Sequence, residues 1–113
     1  MDQNQTFPRL DIAIQGADID IKRDGILLNG LGDGRSRYRF RGENGLLKEW
    51  CVETLVSSEG LSFEIHTWNE EGHHLDLVEG ERLQTGDAFE KEVDVILQGK
   101  KTHLAFRLFF HVD

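Results

Sequence analysis

Apolar and polar residues alternate in short runs, and glycine-bearing turns break those runs at intervals of about ten residues. A strand turns successive side chains to opposite faces, so alternation with period two buries one face and wets the other. A helix needs apolar residues three and four apart instead. The best helical window, Leu46 to Val56, is rich in Trp, Val, Thr and Cys, which favour extended backbone. The pattern predicts an all-β chain: a single domain over residues 1–113, built as an antiparallel sandwich or partly open barrel of eight to nine strands. A chain of 113 residues can bury one core and is too short for two.

The most apolar hairpin is expected over Ala88 to Val112, with its turn at Gly99-Lys100 and Gln98 facing Lys101. That register sets Val95 against Leu104, Val93 against Phe106 and Phe89 against Phe110 on the core face. Near the start, Leu10, Ile12 and Ile14 share one face of a strand, and Ile19 and Ile21 repeat the pattern. Asp24-Gly25 reads as a type I′ hairpin turn into Ile26 to Leu28. Ser57 to Gly60 closes a hairpin in which Val56 falls opposite Leu61, so Cys51 faces His66, Glu53 faces Glu64 and Glu49 faces Trp68. Asn69-Glu70-Glu71-Gly72 reads as a type I turn with a left-handed glycine, placing Trp68 opposite His74 and His66 opposite Asp76.

Lys and Arg number 13 against 21 Asp and Glu, a formal net charge of -8, which opposes generic adhesion to nucleic acid or anionic membranes. One cysteine excludes an internal disulfide framework and a CxxC-type zinc site. The chain shows neither a secretory leader pattern nor a run of eighteen apolar residues, so a cytoplasmic compartment is expected.

Against the acidic background, Arg35, Arg37, Arg39 and Arg41 share one face of a strand, with Tyr38 and Phe40 on the other. Both registers that keep Tyr38 and Phe40 with Trp50 and Val52 lay the arginines beside Glu49 and Glu53, with Asp11, Asp18 or Asp20 left to take the surplus. The arginines are a cross-strand charge ladder on one reading, an anion- or nucleotide-binding surface on a second and a protein-docking strip on a third.

Cys51, His66 and Asp76 fall in one row across three strands: a nucleophile, a base and an acid to orient the base. Arg37 or Arg39 beside the thiol would favour the thiolate, but the row is read as charged and inert and ordinary thiol reactivity is expected. The row lies on a sheet face without an evident oxyanion hole, so the chain is not expected to be an enzyme. His103 and His111 are about 26 Å apart along one strand and cannot share an ion, and His66, His103 and Asp94 converge only if their strands are neighbours. No metal site or cofactor is expected. The run Gly30-Leu-Gly-Asp-Gly34 lacks the Gly-Lys-Ser/Thr of a phosphate loop.

Arg37-x-x-x-Arg41 and Ser57-Ser-Glu-Gly60 resemble parts of the nucleotide-binding pattern of PilZ barrels. Leu55 stands where that family carries an acidic or amide residue, and the spacing is short, so the chain is not assigned to it. The expected function is a non-enzymatic protein-binding or assembly module, a homo-oligomer or the partner of another protein, with Leu27, Trp68, Ile96 and Phe109 as outward apolar contacts.

Overall fold

A computed structural model of the chain describes residues 8–28, 35–44, 47–75 and 77–112. Eight strands form: β1 (Pro8–Gly16), β2 (Ile19–Leu27), β3 (Arg35–Asn44), β4 (Leu47–Ser57), β5 (Gly60–Asn69), β6 (Val78–Leu83), β7 (Ala88–Leu97) and β8 (Lys100–Val112). They build two four-stranded antiparallel sheets, in the orders β2-β1-β8-β7 and β3-β4-β5-β6. The sheets stack as a sandwich, because each strand has one apolar face to hide and only the facing sheet can cover it. Strand order in space repeats order in the chain: β2 leads across to β3, β6 leads back to β7, and β8 returns beside β1. Among the described residues the two sheets are the halves of an up-and-down ring left without strand pairing at β2/β3 and β6/β7.

The alternating residues meet between the sheets. Leu10, Ile12 and Ile14 of β1 and Leu104, Phe106 and Leu108 of β8 pack against Trp50 and Val52 of β4 and Leu61 and Ile65 of β5, all buried. Each such side chain contributes about 1.5–3 kcal/mol by leaving water. Phe63 of β5 meets Phe89 of β7 edge to face at 5.0 Å, tying the sheets together on the β6/β7 side. Its ring passes over Gly80 so closely that a Cβ there would lie 2.6 Å from it.

The β4–β5 register is the expected one throughout, from Val56 opposite Leu61 to Glu49 opposite Trp68. Gly72 N–H donates to the Asn69 carbonyl at 2.9 Å and Trp68 bridges His74, so the β5–β6 turn also forms as read. The two other turns differ. Asp24-Gly25 is a bulge inside β2, and the hairpin turn is Ala17-Asp18. The bulge is held from the neighbouring strand, where Asp11 Oδ1 accepts the Gly25 N–H at 2.6 Å and Arg9 donates to the Gly25 carbonyl at 3.0 Å. The last hairpin turns at Gln98-Gly99, both with positive φ (52° and 73°), which pairs Leu97 with Lys100, Val95 with Thr102, Val93 with Leu104 and Phe89 with Leu108. Lys91 lies opposite Phe106. That is two residues from the expected register, a slip that keeps every side chain on its expected face. The Gly30–Gly34 run and Asp76 lie outside the described residues.

Candidate functional site

The outer face of the second sheet carries most of the unusual chemistry. Strand β3 ends the sheet, and its pairing with β4 opposes Arg37 to Glu53, Arg39 to Cys51 and Arg41 to Glu49. Three rows cross the face: Arg41, Glu49, Trp68 and His74; Arg39, Cys51 and His66; and Arg37, Glu53, Glu64 and Glu79. Arg37 is ion-paired with Glu53. Arg39 Nε and Arg41 Nε reach the two oxygens of Glu49 at 3.3 and 2.8 Å. The three described guanidiniums of β3 are therefore a ladder against Glu49 and Glu53, with Arg39 and Arg41 sharing Glu49, whereas the sequence pattern leaves Asp11, Asp18 or Asp20 to take surplus arginines. Those aspartates belong to β1 and the β1–β2 hairpin of the other sheet. Exposed pairs of this type contribute under about 1 kcal/mol each. Arg35 pairs with Leu55 through its backbone, and its side chain is outside the described residues.

Cys51 and His66 stand opposite each other as expected. The thiol, however, is only 3% exposed. Burial pushes its pKa up, the Glu53 carboxylate adds to that, and Arg37 and Arg39 pull the other way without reversing it. The arginines beside the thiol thus do not favour the thiolate on balance: desolvation of the charged form outweighs two half-exposed guanidiniums. His66 takes its partners from residues not foreseen, with Nε2 3.2 Å from Glu64 Oε1 and Nδ1 3.1 Å from His74 Nε2. His74, placed opposite Trp68 by the turn, also sits edge-on to its ring at 5.5 Å. Its bridge to Trp68 was legible in the turn; its approach to His66 depends on the two side chains leaning together.

The remaining candidates are scattered. Trp68 is half-buried under the His66 and His74 rings. Ile96 and Phe109, 57% and 41% exposed, lie on the outer face of the first sheet, but their rows on β8 are separated by about 26 Å. Leu27 is exposed at the end of β2, where its carbonyl accepts the Tyr38 hydroxyl. His103 and Asp94 are neighbours on β8 and β7 with Nδ1 and Oδ1 2.9 Å apart, and His66 belongs to the other sheet, so the three do not converge.

Comparison with protein-family models, with curated proteins and with solved structures returned no match. Among the described residues no helix is long and apolar enough to cross a membrane.

Proposed function

We propose that this protein is a non-enzymatic assembly module whose copies join edge to edge, β3 of one against β7 of the next. The observation that carries the reading is a matched alternation on two sheet ends. β3 closes one end of the second sheet and displays Arg37, Arg39 and Arg41 on its outer face. β7 closes one end of the first sheet and displays Glu90, Glu92 and Asp94 at the same two-residue spacing. The side chains on both edges are about half exposed or more.

Edge strands present unpaired backbone donors and acceptors, and charges on them normally keep copies apart. Here that repulsion acts between like edges, β3 with β3 or β7 with β7, and leaves the unlike pairing favourable. Each opposed Arg–carboxylate pair adds about 0.2–1 kcal/mol to the backbone pairing. Within one chain the charges are not fully matched: three guanidiniums meet two carboxylates beside β3, so the edge retains positive character. Such a contact joins different surfaces, so copies add head to tail.

Sedimentation velocity across protein concentration at low salt tests the reading. Self-association that weakens as salt rises is expected. R37E/R39E and E90R/E92R variants, checked for folding by circular dichroism, are each expected to be monomeric alone and to pair when mixed. A clean monomer at low salt overturns the proposal, as does association that survives both reversals.

Phosphate-directed binding by Arg35, Arg37, Arg39 and Arg41 ranks second. In both readings the partner competes with Glu49 and Glu53 for guanidiniums already engaged, and only the first also has a complementary row, on β7. Titration with oligonucleotides and cyclic dinucleotides at low salt separates the two readings.

A further inference from the structure

We infer that Glu53, Glu64 and His66 form a binding site for one divalent transition-metal ion of the zinc type. One oxygen of each carboxylate and one imidazole nitrogen all lie within 4.8 Å of one another. Ligand atoms around a tetrahedral zinc, at bond lengths of about 2.0–2.1 Å, are about 3.3 Å apart. His66 Nε2 and Glu64 Oε1 already stand at 3.2 Å, so only the Glu53 carboxylate has to swing inward.

The donors are placed by the backbone. Glu53 and Glu64 are direct cross-strand partners, and Glu64 and His66 are two residues apart on β5, hence on the same face. The row is electrostatically unsettled as it stands. Glu53 faces Glu64, Glu64 faces Glu79, and within the row Arg37 offsets one of the three carboxylates. Like charges directly opposite are unfavourable, and a dication between two of them reverses the sign of the interaction.

His66 is also oriented for the task. In the tautomer whose Nδ1–H donates to His74 Nε2 across the 3.1 Å contact, the Nε2 lone pair faces the Glu64 carboxylate at 3.2 Å, and a cation between them would bind both. In the other neutral tautomer Nε2 donates its proton to Glu64, so ion binding moves that proton to Nδ1 and leaves the imidazole neutral. His74 is the outer partner that fixes the ring. Two carboxylates with one imidazole suit zinc or manganese better than magnesium or calcium, which prefer oxygen alone. Three protein ligands leave a coordination position for water.

His103 supplies the contrast. Its two carboxylates, Glu92 and Asp94, sit on opposite ring nitrogens, 3.2 Å from Nε2 and 2.9 Å from Nδ1, and cannot both join one ion with the imidazole.

The test is calorimetric titration of the purified protein with zinc chloride, with thermal unfolding as a second readout. One ion per chain and a raised melting temperature are expected. E64Q and H66N should each weaken binding about tenfold or more, and H103N should leave it unchanged. Excess magnesium should not compete. Both E64Q and H66N replace partly exposed side chains on the outer face, and circular dichroism is to check their fold. Absence of saturable binding into the millimolar range overturns the inference, and so does binding that ignores E64Q and H66N or is lost in H103N.

Discussion

Cys51 on β4 and His66 on β5 stand directly opposite each other on one face of the second sheet, yet the thiol is 3% exposed. Adjacency of a thiol and an imidazole is the geometry of an activated nucleophile, but activation requires the thiolate to be cheaper than in water. Here it is costlier. Burial raises the Cys51 pKa and the carboxylates of Glu53 and Glu49 raise it further, against the pull of two arginines.

Alkylation of Cys51 by iodoacetamide should therefore be slow at neutral pH, with its midpoint above the ordinary thiol value, and should accelerate sharply when urea unfolds the chain. A rate profile with its midpoint below that value would return Cys51 to the list of candidate nucleophiles.

A second pH effect belongs to the β7–β8 hairpin. Hydrogen bonds that His103 donates to Asp94 and then to Glu92 hold its pKa above the ordinary value, and His103 in turn holds Asp94 below the ordinary carboxylate value. The stabilisation from His103 is complete below its ordinary value and is lost as pH rises through the raised one. That from Asp94 is present above the ordinary carboxylate value and fades as pH falls through the lowered one. Both operate together between about pH 4 and 6.5. Proton NMR should place the His103 titration above the ordinary histidine value and move it down in D94N; an unmoved midpoint would show that the pair is not formed in solution.

Thr67 faces Trp50 across β4 and β5 in the core, buried, and its hydroxyl has no hydrogen-bond partner among the described residues. A buried donor without a partner costs about 1–3 kcal/mol, and valine has nearly the same shape without the hydroxyl. Thr67→Val is expected to stabilise the protein by about 1 kcal/mol in urea denaturation. Destabilisation would mean that the hydroxyl is satisfied after all.

The residues that placed the strands correctly did so through local rules. Two tight turns, Ser57 to Gly60 and Asn69 to Gly72, left the register of β4 and β5 no freedom, and the opposition of Cys51 to His66 and of Glu53 to Glu64 followed from counting. Asp24-Gly25 was misread because the same dipeptide serves a hairpin or a bulge. The choice was made by the Asp11 carboxylate on the neighbouring strand, which accepts the Gly25 amide. The final hairpin slipped by two residues because a two-residue shift leaves every side chain on its own face, so hydrophobic pattern alone cannot tell the registers apart. The turn is set by positive φ at Gln98 and Gly99, with Glu70 of the β5–β6 turn accepting the Gln98 amide at 3.0 Å.

By itself, then, the order of apolar and polar residues determined that the chain is all-β, which side chains face the core, and that arginines lie beside glutamates on an outer face. Those properties depend on alternation and turn chemistry, which act over a few residues. Only the tertiary structure decided that β3 and β7 end their sheets, that Cys51 is buried on a face counted as outward, and that His74 leans onto His66. Those properties depend on which strands become neighbours and how long side chains cover one another, and both are settled by the packing of the whole chain.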